Sequence, residues 1–204
     1  GHGQSLPPAN GDYAIDSIAQ EMQMAIDQLG VDRFIRVGPS MGGSVAGDFA
    51  GAYHERVEGL LLVEPSGDST QMTVEEVQQY LGALESEAYS SVVEGYWDQL
   101  LTGSAEKTEA KVMQDLRDTS KATVVGVFKE LFKYNPVPAL ERYNGPKLSI
   151  ISSHNENPFA LHNLVSDLPH QKMTGTGHWL QLDKPEEFNR IMNDFLASIS
   201  NGSL

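Results

Sequence analysis

Apolar residues recur along the chain first at helical spacing and then at strand spacing. Residues 15–29 carry apolar side chains three and four positions apart, which predicts an amphipathic helix that ends at Gly30. Residues 34–37 and Val57–Val63 are short apolar runs typical of buried strands, and the small residues of 44–53 predict a helix between them. Alternation of this kind favours a parallel sheet covered by helices.

The segment from residue 66 to residue 140 has a different pattern. Helical periodicity dominates it and no part is a convincing strand; the predicted helices are 74–84, 89–101, 110–116 and 124–134. We therefore predict that residues 66–140 are a helical cap inserted between two strands, with Pro136 and Pro138 marking the return to the sheet.

The strand pattern returns after this insertion. We predict strands at 147–152 and 171–174, a helix at 159–168, a loop at 175–179 and a closing amphipathic helix at 185–199. The predicted fold class is α/β: a three-layer αβα arrangement with a mostly parallel sheet, in which residues 1–65 and 141–204 form the core around the cap.

Composition excludes several functions. The 204 residues include 28 acidic and 14 basic side chains, a formal net charge of −14, which repels phosphate backbones and anionic membranes. We therefore expect neither nucleic acid nor a membrane as a partner. The absence of cysteine excludes disulfides, thiolate metal sites and a cysteine nucleophile.

The sequence Gly38-Pro39-Ser40-Met41-Gly42 fits the pattern G-x-S-x-G and lies between a predicted strand and a predicted helix. A serine on such a sharp turn is exposed for attack, and glycines on both sides avoid clashes with neighbouring backbone. This context predicts Ser40 as a nucleophile, the Met41 N–H as an oxyanion donor and Pro39 as part of the pocket floor. The alternative is an ordinary glycine-rich turn from strand to helix.

His178 follows 138 positions later, in a Gly-Thr-Gly-His loop after the last predicted strand. A serine hydroxyl needs a base to take its proton, and histidine is suited to that near neutral pH, so we predict His178 as the base. Trp179 beside it is a candidate for the substrate pocket. His154 and His162 have no third ligand at convincing spacing, so we predict no metal site.

Three segments together resemble landmarks of the α/β-hydrolase superfamily, in the same order. They are Gly1-His2-Gly3-Gln4-Ser5, then Val37 to Gly43, and then Gly177-His178-Trp179 with the following Leu180 to Phe188. The resemblance is to bacterial esterase and lactonase-like members with a small helical cap. It implies a cap that covers the active site and sets substrate choice. No cofactor is implied, because the glycine-rich turn lacks G-x-G-x-x-G spacing and a phosphate-binding lysine.

The acid of the expected triad departs from the family pattern. The resemblance implies an Asp in the loop after strand 147–152, but Asn155 occupies the matching position. Chemistry requires only that a carboxylate reach the Nδ1 side of the imidazole. We favour Glu64, at the end of the second strand, with Glu156 as the alternative acid. Two other possibilities stay open: that neither serves, and that Glu64 only caps the following loop.

The start of the chain is a second departure. Family members place four strands before the Gly-His-Gly landmark, and the loop after one of them supplies the second oxyanion donor. Three explanations stay open: a fragment of a longer protein, which we favour; a second chain that supplies the missing strands; or a reduced variant whose sheet edge is covered in a homo-oligomer. Our expected location is cytoplasmic, although a signal peptide could belong to a missing N-terminal part.

These observations predict a serine hydrolase that cleaves small-molecule carboxylic esters through an acyl-enzyme. Lactone, thioester, amide or C–C bond cleavage are related alternatives, and a non-catalytic ligand-binding protein on the same fold is the alternative from another class. Dehalogenases and epoxide hydrolases of the superfamily use an Asp where Ser40 stands. The cap aromatics are expected either to pack the cap or to line the pocket; they are Tyr80, Tyr89, Tyr96, Trp97, Phe128, Phe132 and Tyr134.

Overall fold

The sheet is parallel throughout and has four strands in the part of the chain that the computed structural model describes, residues 1–201. The strands lie side by side in chain order and are β1 (Phe34–Pro39), β2 (Val57–Val63), β3 (Lys147–Ile151) and β4 (His170–Lys172). The predicted α/β class is therefore confirmed, and the four-stranded sheet fits the expectation that the family's first strands are missing from this sequence.

Residues 1–201 contain ten α-helices, some packed on the sheet and others in the cap. They are α1 (Ile15–Gln28), α2 (Met41–Ala52), α3 (Val74–Glu85), α4 (Tyr89–Leu101), α5 (Glu106–Arg117), α6 (Lys121–Leu131), α7 (Val137–Arg142), α8 (Leu161–Leu164), α9 (Leu180–Asp183) and α10 (Pro185–Ser200). None of them is long and apolar enough to cross a membrane.

The two faces of β2 belong to two different hydrophobic cores. Leu60 and Leu62 pack in a cluster with residues of α1, α2 and α7, whereas Leu61 and Val63 pack in a cluster with residues of β3 and α10. Successive side chains of a strand point to opposite faces, so a strand buried on both sides is apolar at every position. This is why 60–63 is a continuous apolar run.

The cap helices have a smaller core of their own. Leu84, Val93, Leu116, Val124 and Val125 are buried together, between α3, α4, α5 and α6. Thr73 and Glu76 form a reciprocal capping box at the start of α3, which satisfies donors that the helix leaves free. The proposed cap boundaries at residues 66 and 140 stay a prediction, and Leu140 of α7 packs in the cluster beneath α2.

Three local differences from the predicted elements have physical causes. Helix α7 was not predicted, because two prolines indicated a break; Pro138 lies in its first turn, where a missing N–H costs little. Only Leu161–Leu164 is helical within the predicted helix 159–168. The last strand is His170–Lys172 rather than 171–174, and its three residues are all exposed at the sheet edge.

Candidate active site

The register of β1 and β2 brings the turns that follow these two strands together at the carboxyl end of the sheet. Pro39 at the end of β1 pairs with Val63 at the end of β2, so residues 40 and 64 leave adjacent parallel strands. The Ser40 N–H donates to Val63 O at 2.9 Å, and the Glu64 N–H donates to Ile150 O at 2.8 Å. The backbone of each residue is thus fixed by a hydrogen bond to the neighbouring strand, independently of any side-chain contact.

Ser40 occupies a strained turn that only small neighbours permit. Its φ is 48° and its ψ is −122°, outside the regions that most residues adopt. A Cβ on Gly38 would come within 2.4 Å of Gly42 O, and one on Gly42 within 3.3 Å of Pro39 Cδ. The two glycines of the motif therefore allow the close approach of β1 to the start of α2.

Met41 is the first residue of α2 and directly follows Ser40. The N–H groups in the first turn of a helix have no partner within the helix, and the helix dipole makes that end favourable for negative charge. The Met41 N–H is therefore placed to stabilise charge that develops next to Ser40.

Glu64, like Ser40, has a positive φ. Its φ is 45°, and within residues 1–201 these two are the only residues other than glycine with positive φ. Its side chain is 1% exposed. Strain of this kind persists where the surrounding structure enforces it, and it concentrates at functional sites. Its coincidence with the predicted nucleophile and the predicted acid is independent of the sequence motif.

The buried carboxylate of Glu64 lies beside the imidazole of His178. Oε2 is 3.3 Å from Nδ1, whereas Oε1 accepts a hydrogen bond from the Ser152 N–H. Within the described residues no well-formed hydrogen bond ends on Oε2, which stays available to Nδ1. The arrangement holds one carboxylate oxygen on the backbone and directs the other to the base.

Ser40 and His178 line the same cavity, together with Glu64. No hydrogen bond joins Ser40 Oγ to His178 among residues 1–201, and the side chain of His178 is 12% exposed. Catalytic hydrogen bonds are often long in the absence of substrate and shorten when it binds. The three side chains thus share one site, with the predicted acid and the predicted base already in contact.

The alternative acid, Glu156, faces elsewhere. Its side chain is 52% exposed and its Oε1 lies 2.7 Å from Lys172 Nζ. Asn155, at the position where the resemblance implies an Asp, is buried and donates from Nδ2 to Pro65 O at 3.0 Å. Both residues therefore have partners other than His178.

The cavity that contains Ser40 has a volume of about 280 Å³ and two unlike sides. One part of the lining is polar and includes Ser66, Ser69, His154 and Asn155 besides the three residues above. The other part is mainly apolar and comes from the cap; its residues are Met72, Tyr80, Tyr96, Leu100, Phe128, Leu131 and Phe132. Four of the seven cap aromatics thus line the cavity.

Two predicted pocket residues lie outside the lining of this cavity. Pro39 is exposed on β1. Trp179 lines a second cavity, of about 200 Å³, in which Trp97 and Phe128 also take part. Its ring meets that of His178 edge-on, with the centroids 5.1 Å apart. Phe128 lines both cavities and so separates them.

The loop that carries His178 is tied to the cap by contacts that the sequence did not reveal. Asp183 Oδ2 accepts from the Gly177 N–H at 2.8 Å and from Ser104 Oγ at 3.1 Å, and its Oδ1 accepts from the Ala105 N–H at 3.0 Å. The His178 N–H donates to Leu100 O at 2.9 Å. Asp183 lies in the last landmark segment, but nothing in that segment indicated its partners.

Comparison with known proteins agrees with this geometry. A family model described as alpha/beta hydrolase fold matches residues 1–185. The chain belongs to this family. In this α/β-hydrolase family member, the helical segment between β2 and β3 corresponds to the cap expected from the resemblance.

Three of the similar proteins illustrate the range of this family. The sn-1-specific diacylglycerol lipase ABHD11 of Mus musculus is 26% identical, over 96% of this chain and 69% of the lipase. Epoxide hydrolase 3 of Xenopus tropicalis is 23% identical, over 95% of this chain and 61% of that protein. An esterase from Exiguobacterium antarcticum shares the fold with a TM-score of 0.83, at 21% identity over 97% of this chain and 78% of the esterase.

Proposed function

We propose that this hydrolase cleaves small-molecule carboxylic esters, with Ser40 as nucleophile, His178 as base and Glu64 as the acid. The observation that carries the proposal is the 3.3 Å approach of Glu64 Oε2 to His178 Nδ1 at the wall of the cavity that Ser40 lines. A carboxylate at Nδ1 holds the imidazole in the tautomer whose Nε2 accepts a proton, and it stabilises the imidazolium that forms.

The proposed reaction has two halves. Ser40 Oγ bonds to the ester carbonyl carbon while its proton passes to His178, and the carbonyl oxygen becomes an oxyanion beside the Met41 N–H. The bond to the alcohol oxygen then breaks, and the alcohol leaves with the proton from His178. Water next adds to the acyl-enzyme through the same base, which releases the acid and restores the Ser40 hydroxyl.

Ser40 also favours ester cleavage over the chemistry named for one relative. The superfamily's epoxide hydrolases use an Asp nucleophile, and residue 40 is a serine. The apolar side of the cavity suits the hydrocarbon part of an ester, while the polar side suits the reacting carbonyl. Lactones are cyclic esters and fall within the same proposal.

Turnover of p-nitrophenyl butyrate tests the proposal. We expect hydrolysis by the wild type, loss of about 10³-fold or more in kcat for Ser40→Ala, and labelling of the wild type alone by a fluorophosphonate. Ser91→Ala, on the exposed face of α4, is the control and should retain both signals. Equal turnover by Ser40→Ala would contradict the role of Ser40 as nucleophile. No turnover and no labelling of the wild type would favour a non-catalytic binding protein.

A further inference from the structure

Two cavities meet at a single side chain of the cap. Among residues 1–201, Phe128 is the only residue that lines both the Ser40 cavity, of about 280 Å³, and the second cavity, of about 200 Å³. The other apolar side chains that line the second cavity are Trp97, Val112, Leu116, Val124, Val127 and Trp179. This cavity therefore offers hydrocarbon a place that lies beyond Phe128 as seen from Ser40.

The order of residues along α6 shows how the two cavities are arranged. Residues four apart in a helix lie on the same face, one above the other. Val124 lines the second cavity, Phe128 lines both cavities, and Phe132, which directly follows α6, lines the Ser40 cavity. The two cavities therefore follow each other along this face of the helix, and Phe128 lies at the boundary between them.

The ring of Phe128 is held in place by other rings from both cavities. Its centroid is 5.4 Å from that of Tyr80, 5.7 Å from that of Tyr96 and 5.9 Å from that of Phe132, which all line the Ser40 cavity. The ring of Trp97, which lines the second cavity, is 6.2 Å away. A ring packed against both groups cannot turn aside without disturbing them, because packed interiors leave few voids.

We propose that Phe128 is a specificity-determining residue that limits the length of the hydrocarbon chain an ester can place beside the cap, so that the preferred substrates are short-chain esters. This inference rests on the proposed ester hydrolysis and adds the substrate class. A chain that outgrows the apolar part of the Ser40 cavity meets the ring of Phe128, and forcing methylenes into filled space weakens binding. Removal of this ring would join the two cavities and admit longer chains.

Esters of graded length test the proposal. The acyl series is ethyl butanoate, ethyl hexanoate and ethyl octanoate, and the alcohol series is butyl, hexyl and octyl acetate. In each series the readout is the ratio of kcat/KM for the longest ester over that for the shortest. We expect this ratio to be below one for the wild type in at least one series. In that series Phe128→Ala should raise it about tenfold or more, since each methylene newly buried contributes about fourfold. A wild-type ratio above one in both series, or no rise in Phe128→Ala, overturns the inference.

Phe132→Ala is the matched control. It removes a ring of the same size from the Ser40 cavity, but Phe132 does not line the second cavity, so the two cavities stay separate. Its ratio should rise far less than that of Phe128→Ala; an equal rise would show that space in the Ser40 cavity alone sets the limit, and would overturn the role of Phe128. Phe128→Leu keeps an apolar side chain against the cap cluster and should give an intermediate ratio. It replaces Phe128→Ala in the test if thermal melts show that the alanine variant does not fold.

Binding to an inactive protein separates this inference from the proposed function. In a Ser40→Ala background, calorimetry with the same six esters should give weaker binding of the longest ester than of the shortest in one series, and adding Phe128→Ala should reverse that order. If this holds while the wild type hydrolyses no ester, the ester-hydrolase proposal fails and the role of Phe128 stands. If esters are cleaved but Phe128→Ala changes neither the binding order nor the kinetic ratio, the role of Phe128 fails alone.

Discussion

Asp183 joins the loop of His178, the proposed base, to the cap, and removing its carboxylate gives a sharp test of that connection. It accepts hydrogen bonds from the Gly177 N–H, from Ser104 Oγ and from the Ala105 N–H. Gly177 immediately precedes His178, and a Cβ on Gly177 would come within 2.1 Å of Ser104 Oγ. The His178 loop and the cap are therefore in close contact here, and the carboxylate of Asp183 is hydrogen-bonded to both.

The magnitude follows from these three bonds. Each contributes about 1 kcal/mol net, or about 3 kcal/mol for the set, and partial exposure of Asp183 reduces this to about 2 kcal/mol for Asp183→Ala. Asp183→Asn keeps one acceptor oxygen and should cost about 1 kcal/mol. Because the His178 loop loses its anchor, we also expect kcat to fall about tenfold while KM changes little, since misplacement of a catalytic group slows chemistry.

Urea unfolding followed by tryptophan fluorescence measures the first quantity, and ester kinetics measure the second. Asp115→Ala is the control. Within residues 1–201 the side chain of this cap residue pairs only with Lys111, at 2.6 Å in an exposed (i, i+4) ion pair, so the substitution should change stability by no more than about 0.5 kcal/mol. If Asp183→Ala matched Asp115→Ala in both stability and kcat, the reasoning about this connection would be refuted. A rise in KM with kcat unchanged would show that Asp183 acts on the cap alone.

Two further predictions concern the carboxylates of Glu64 and Asp48. Glu64→Gln keeps the shape of the side chain but removes the charge beside His178, so kcat in ester kinetics should fall about 10³-fold or more. Glu156→Gln should leave kcat unchanged, and the reverse pattern would assign the acid to Glu156. Burial raises the pKa of Asp48, which accepts a hydrogen bond from Tyr134, so in the wild type its contribution is full in acid and is lost as pH rises through the folded-state pKa. Asp48→Asn should therefore be more stable than the wild type at pH 7 and equal to it in acid, as measured by urea unfolding at both pH values; a larger advantage in acid would contradict the sign.

Local chemistry accounts for what the sequence determined by itself. The turn at Ser40 was predictable because its glycines remove clashes between residues four apart in the chain, from Gly38 to Gly42. The strands were predictable because a strand buried on both faces is apolar at every position, as Leu60 to Val63 are. Four of the cap helices were predictable from their 3.6-residue periodicity.

Proline and short elements limited the same reasoning. Pro136 and Pro138 indicate a helix break by local rules. Yet Leu140 packs in the cluster with α2, and Ala139 lies against Gly51 of α2, and this packing stabilises a six-residue helix that begins between the two prolines. In 159–168 the side chains of Leu161, Val165 and Leu168 are each buried in the same cluster, although only Leu161–Leu164 is helical. Tertiary packing decided both cases.

The tertiary structure alone decided which groups meet at the site. The sequence named Glu64 and Glu156 as candidate acids, and the alignment of β2 with β3 places one beside His178 and the other beside Lys172. Trp179 adjoins His178 in the chain but lines a different cavity. The bonds from Ser104 and Ala105 to Asp183 have no sequence signal, because they join segments far apart in the chain, which periodicity and local motifs do not encode.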